Sequence, residues 1–278
     1  MNKYLKYGLM GILATIISIL FLKPKETEEK STIRNYREIV QSGVLRAITE
    51  YNAFSYHAQE DTISGFHYEL LQAFAQSKNL KVEITPEMSL EKRQEGINDG
   101  SYDILANNVL KADRDEDTIL YSHPILLSKQ VLVQRNAQEK NDEHYIYSLL
   151  DLGNKTVHVV KDSPFINRIR NLSNEIGDTI YIKEIEKYGP EQLVAMVANG
   201  DIDYAVCDES IILASINNFP QIDIETAISF TQFYSWGVNK NNTELLDSLN
   251  AWIDTFKQTP AFKELNKNTT IANYDYIG

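Results

Sequence analysis

A helix, a glycine turn and an apolar strand recur in the same order about a hundred residues apart, and that repetition restricts the folds open to this chain. The stretch Glu95-Gly-Ile-Asn-Asp-Gly100-Ser-Tyr-Asp103-Ile-Leu-Ala-Asn-Asn108 is echoed by Ala195-Met-Val-Ala-Asn-Gly200-Asp-Ile-Asp203-Tyr-Ala-Val-Cys-Asp208. In each copy an amphipathic helix meets a C-cap glycine, and a tight turn leads to a short apolar run closed by polar residues. Ile104-Leu-Ala and Tyr204-Ala-Val-Cys have the unbroken apolar character of parallel strands covered on both faces. Open α/β sheets take ligands just beyond the carboxyl ends of such strands. Asn107, Asn108, Asp208 and Glu209 therefore stand where two similar lobes would face one ligand. One Gly-x-x-Asp alone is a common turn; the matched order of the flanking elements makes two lobes the expectation.

The 278 residues, 43% apolar and 24% charged, suit one large domain or two lobes of ordinary size. A basic start is followed by an uncharged run over residues 7 to 22, which reads as an export signal. As a helix that run would cover about 24 Å at about 1.5 Å per residue, a little short of a hydrocarbon core of about 30 Å. Lys23-Pro-Lys-Glu follows, with no small-x-small cleavage site and no cysteine to carry a lipid. The expectation is a segment 1–22 kept as a membrane anchor, then a polar tether over 23–33, with the body on the periplasmic or extracellular face. The single Cys207 excludes an intrachain disulfide and, inside an apolar strand, reads as a core thiol. A net charge of -12 with no basic patch argues against a nucleic-acid partner.

Further along, Val44-Leu-Arg-Ala-Ile-Thr49 alternates as a first strand, and residues 50 to 56 leave it as a loop. A helix after Phe66 and a strand at Lys81-Val-Glu-Ile-Thr85 complete a strand-helix-strand unit, and Gln130-Val-Leu-Val-Gln134 begins a new β-rich run. A second α/β series follows from Thr156, with Thr179-Ile-Tyr-Ile182 as one of its strands, and amphipathic helices over 243–256 and 260–266 return to the first lobe. The lobes are expected at 34–129 plus 233–268 and at 130–232, with a tail over 269–278. Two hinge crossings are expected, near 128–133 and 229–234. Tyr234 and Trp236, on the second crossing, read as core residues.

Gly43-Val-Leu-Arg, Gly65-Phe-His-Tyr-Glu-Leu, Asn98-Asp-Gly-Ser-Tyr-Asp, Tyr121-Ser-His-Pro and Asn199-Gly-Asp-Ile-Asp-Tyr, in that order, resemble the bacterial family 3 extracellular solute-binding proteins over about residues 36 to 268. Within that group the sequence is most similar to the non-catalytic sensor domain of the membrane-bound lytic murein transglycosylases F. The resemblance implies the α/β, two-lobed type II periplasmic-binding-protein fold, each lobe a mostly parallel sheet flanked by helices. It also implies a cleft ligand, an amino acid, small peptide or muropeptide, and a transporter or cell-wall enzyme as partner.

Carried onto this sequence, the family pattern offers Tyr51, Asn52, Phe54 and Tyr56 on the first loop, with Phe66 entering from the next. Amino-acid binders of the family have Gly-x-Thr after the third strand, then an arginine that clamps the ligand carboxylate. Counted without gaps from Asp103, those places hold Asn108, Leu110 and Asp115, and Arg114 comes one residue early. A slip of one residue would restore the clamp; otherwise an ordinary free α-amino acid is disfavoured. In the second lobe Asp162 and Ser163 lie in a loop expected at a helix N-terminus, and Asp208 matches the family's ammonium-binding acid or simply caps the next helix.

No catalytic or metal-binding spacing is present: His57, His67, His123, His144 and His158 form no His-x-x-x-His, and the acidic stretch 113–117 lacks a calcium-loop glycine. The expected function is solute binding without a cofactor. Its rivals are a dehydratase-like enzyme on the same fold, with Asp208 or Glu209 as base, and a regulatory scaffold related to the transglycosylases without their catalytic domain.

Overall fold

The computed structural model describes residues 33–110, 118–140 and 142–269; the apolar run 7–22, Arg114 and residues 270–278 lie outside them. Helix α1 (Tyr36–Ser42) opens with a capping box between Asn35 and Glu38. It is followed by β1 (Val44–Thr49), the hairpin β2 (His57–Gln59) and β3 (Thr62–Ser64), α2 (Phe66–Ser77), β4 (Lys81–Pro86), α3 (Leu90–Asn98), β5 (Ile104–Leu110), β6 (Ile119–Tyr121) and β7 (Leu126–Ser128). The chain then crosses to β8 (Gln130–Arg135), β9 (Thr156–Val160), α4 (Ile166–Ile176), β10 (Tyr181–Ile185), α5 (Pro190–Asn199), β11 (Tyr204–Asp208), α6 (Glu209–Leu213) and β12 (Ile222–Asp223). It crosses back into β13 (Gln232–Asn239) and continues through α7 (Thr243–Phe256) and α8 (Pro260–Thr269).

Two sheets result, ordered β4-β1-β5-β13-β6, with β7 also on β13, and β10-β9-β11-β8-β12. In each, three strands joined through helices run parallel, and the strands on the crossings, β13 and β8, pair antiparallel to β5 and β11. Gln130 holds the crossings together: its backbone N–H donates to Ser229 Oγ at 3.0 Å, its carbonyl accepts from Ile228 at 2.8 Å, and its side-chain amide donates to Gln232 at 2.9 Å. The apolar faces of α7 and α8 return to the first sheet, where Leu249, Trp252 and Phe262 join Phe66, Phe74 and Ile104 in one buried cluster. In the second sheet alternate residues fill two cores, Val157 and Val159 on one face and Val133, Ala205 and Cys207 on the other. The strand expected from Thr179 starts instead at Tyr181. Thr179 and Ile180 spend their N–H groups on Asp178 Oδ1 and Ser173 Oγ, which holds them in the turn.

The repeated Gly-x-x-Asp has the same physical content in both lobes. Gly100 and Gly200 both take φ 81°, a left-handed conformation that glycine adopts without a Cβ penalty. Three residues on, each aspartate ties down an arginine from a strand of its own sheet, and that arginine also bonds carbonyls of the same helix-to-strand segment. Arg46 on β1 reaches Asp103 at 3.2 Å and the Gly100 carbonyl at 2.8 Å. Arg135 on β8 reaches Asp203 at 2.6 Å and the carbonyls of Val197 and Ile202 at 2.9 and 3.0 Å. The copies differ in burial. The Asp103 side chain is 2% exposed and also pairs with Arg34, whereas that of Asp203 is 60% exposed. Removing Asp103 takes an acceptor from Arg34, from Arg46 and from the Arg46 N–H, while each guanidinium keeps another acceptor, so Asp103→Ala should cost about 1–3 kcal/mol in urea unfolding. The exposed pair of the second copy predicts less than about 1 kcal/mol for Asp203→Ala.

Candidate functional site

The carboxyl ends of β1, β5, β9 and β11 meet at a cleft of about 320 Å³ lined by residues of both lobes. That volume lies at the small end of ligand sites, the size of an amino acid or a short peptide. From the first lobe come Glu50, just after β1, Asn107 and Asn108 on β5, and Arg93 on α3; from the second come residues 160 to 165 and Asp208. The lobes also touch beside the cleft, where the Ala53 N–H donates to Glu191 at 2.9 Å.

Asp208 ends β11, and its side chain accepts from the Ser210 N–H at 3.0 Å, capping α6. Oδ1 takes further donors from Ser128 Oγ at 2.9 Å, Ser210 Oγ at 2.5 Å and, across the cleft, Asn108 Nδ2 at 3.2 Å. The other oxygen, Oδ2, is buried without a hydrogen-bond partner among the described residues. The Tyr234 hydroxyl also stands against this carboxyl and helps to lower its pKa. Burial outweighs all of these donors and raises the Asp208 pKa above the usual carboxylate value. Asn107 Oδ1 is a second buried acceptor without a partner among the described residues.

Glu50 is raised too, first by burial and then by Asp208 and Glu191, against the opposing pull of Arg93. Arg93 is itself buried, with one amino group 3.9 Å from Glu50 and the other bonded to the Met88 carbonyl at 3.0 Å. Its Nε has no partner among the described residues. On the far wall Ser163 Oγ accepts from the Phe165 N–H at 3.3 Å, and Lys161 pairs with Glu186 at 3.2 Å.

Behind Asn108 lies His67, 1% exposed at the start of α2. Its Nε2 is 3.0 Å from Asn108 Oδ1 and its Nδ1 accepts from the Trp236 indole N–H at 3.0 Å. The rings of Phe54 and Phe66 stand edge-on to it. Burial lowers the His67 pKa to about 4, with the Asn108 contact only a partial offset.

Of the residues expected at the site, the structure brings Asn107, Asn108, Asp162, Ser163 and Asp208 to this one cleft. It does not bring the first-loop group there. Phe54 and Phe66 are fully buried and stacked 5.2 Å apart in the first core, because two phenylalanines gain more from that packing than from a wet wall. Asn52 is buried and accepts from the Ser55 N–H at 2.7 Å; Tyr51 and Tyr56 pack on each other and on neighbours of the loop. Gly65 seats this loop, since a Cβ there would meet the Ser55 carbonyl oxygen at 2.6 Å. Glu50 and Arg93 were not anticipated. The strand-end rule applied to β1 would have reached Glu50, and Arg93 shares the buried helical face of Ile97, four residues on.

These features sit in a known frame. The model of the bacterial extracellular solute-binding proteins, family 3, matches residues 45–269, and the chain belongs to that family. A membrane-bound lytic murein transglycosylase F from Desulfosudis oleivorans is 26% identical over 251 residues, covering 89% of this chain and 54% of that one. The chain spans about half the length of the curated relatives it matches. Among solved structures it is similar to an ancestral arginine-binding protein bound to arginine, with a TM-score of 0.70, 22% identity and coverage of 82% of this chain and 99% of that one. An ancestral amino acid-binding protein described as a precursor of cyclohexadienyl dehydratase matches with a TM-score of 0.70 at 19% identity, covering 84% of this chain and 98% of that one. The fold is thus the two-lobed type II periplasmic-binding-protein fold. Among the described residues no helix is long and apolar enough to cross a membrane, and no three His, Cys, Asp or Glu side chains group to hold a metal.

The depressed His67 pKa has a measurable sign. Between pH 6.5 and about 4 the unfolded chain binds a proton that the folded chain refuses, so this group's contribution falls as pH drops. At pH 4 the loss should reach about 3 kcal/mol relative to His67→Gln, read as the difference between the two urea-unfolding profiles from pH 7 to 4.

Proposed function

We propose that this protein closes lobe 34–129 plus 233–268 on lobe 130–232 around a small solute that carries a cationic amine, amino-acid-like or peptide-like. The observation that carries this reading is the buried carboxyl of Asp208 in a cleft that also holds Glu50 and Asn107, with Asp208 Oδ2 and Asn107 Oδ1 both without a hydrogen-bond partner among the described residues. Buried acceptors left open are costly, and an ammonium group supplies the donors that they lack. A scaffold that had given up its solute gains nothing by keeping them open. Ser163 and Asp162 would meet the solute's other end, and Arg114, if its loop reaches the cleft, an anionic group.

The protein's role would be delivery to a transporter or sensing beside the cell wall, from the outer face of a membrane to which residues 7 to 22 tether it. A muropeptide fits a protein similar in part to murein transglycosylases. A second reading, an elimination enzyme, is favoured by the raised pKa of both Glu50 and Asp208, since a carboxylate of raised pKa is a better base. Turnover of the bound solute, followed by chromatography, would separate the enzyme from the binder.

A thermal-shift screen of amino acids, dipeptides and muropeptides supplies the solute, a hit at about 100 times its Kd adding about 2.7 kcal/mol. Asp208→Asn keeps an oxygen to cap α6 but removes the charge, and calorimetry should show affinity weakened about 10- to 150-fold, the equivalent of about 1.5–3 kcal/mol. Binding of a cation to a carboxylate of raised pKa releases a proton, so affinity in the parent should fall as pH drops through the acid range and stay flatter in Asp208→Asn.

A further inference from the structure

A single line of hydrogen bonds runs from the core of the first lobe to the second. Trp236 donates to His67 Nδ1 at 3.0 Å, His67 Nε2 lies 3.0 Å from Asn108 Oδ1, and Asn108 Nδ2 donates to Asp208 Oδ1 at 3.2 Å and Ser210 Oγ at 2.9 Å. Both ends have a fixed polarity. An indole N–H only donates, and Asp208 Oδ1 stands as an acceptor, already taking the Ser210 N–H and the Ser128 and Ser210 hydroxyls. Between those ends only one arrangement satisfies every member: His67 neutral with its proton on Nε2, and the Asn108 oxygen turned to His67 so that its NH2 faces Asp208. An imidazolium would set an N–H against the indole N–H. The opposite tautomer would do the same and leave Asn108 free to turn.

We propose that His67 is a positioning residue of the cleft: locked by Trp236, it fixes the Asn108 amide so that its NH2 group faces Asp208 Oδ1 and Ser210 Oγ of the other lobe. The same bonds make Asn108 a bridge between the lobes, so His67 in the first core acts on the closed arrangement without touching the solute. The inference rests on Asp208 as the cation-binding group, but its test does not need a solute.

The test combines the ring state of His67 with the separation of the lobes. Nitrogen NMR of the parent protein should show the Nε2–H tautomer from pH 8 to 5, and Trp236→Phe should mix the tautomers. Nitroxide labels introduced by Glu95→Cys and Asn174→Cys, exposed positions on α3 and α4, then report lobe separation by pulsed electron resonance. His67→Gln can accept from the indole and donate to Asn108, so its distance distribution should match the parent. His67→Glu accepts on both sides and turns the Asn108 oxygen against Asp208, so its distribution should shift to longer distances and broaden, as should that of Asn108→Ala. An Nδ1–H tautomer in the parent, or His67→Glu with the parent's distribution, overturns the proposal. Failure of the solute-binding reading would appear elsewhere, as unchanged affinity in Asp208→Asn.

Discussion

A carboxylate withdrawn from water must find donors, and the cleft is arranged around how Asp208 finds them. Oδ1 collects the Ser210 amide and hydroxyl, the Ser128 hydroxyl and the Asn108 amide, contributed by α6, the end of β7 and the opposite lobe. Ser128 stands where the chain crosses to the second sheet, so the charge is joined to a hinge strand as well as to both lobes. Oδ2 has no such partner among the described residues. Burial raises the carboxyl pKa against the pull of the donors around it.

Two copies of one helix-to-strand unit bring that group into place. In each lobe a left-handed glycine, an aspartate and a strand arginine set the start of a buried strand, and the strand's far end delivers polar side chains to the cleft. The first copy is buried with two arginines and the second is exposed with one, so the pattern survives with different energetic weight. Gln130 joins the two crossings with side-chain and backbone bonds.

Much of this was legible in the sequence. Gly100 and Gly200, the apolar runs after them and the polar residues at their ends carry local information about turns, burial and strand direction, and Asn107, Asn108 and Asp208 follow from it. The first loop was harder. Its aromatic residues fit a ligand platform or a core equally well by type, and the choice depends on helices α7 and α8, nearly 200 residues away in sequence, which bring Trp252 and Phe262 to the core that holds Phe66. His67 and Arg93 were illegible for the same reason: a polar residue on an apolar helical face declares no partner until Trp236, Asn108 and Glu50 arrive from other strands. The anchor and Arg114 lie outside the described residues.

The most direct measurement is a crystal structure of the protein with the best solute from the screen. A solute nitrogen is expected within about 3.2 Å of the Asp208 carboxylate, between the two sheets, with Asn108 Nδ2 still on Oδ1. A solute lodged away from β5 and β11, or one that presents only carbon to the Asp208 carboxylate, would contradict the cation-binding role of Asp208.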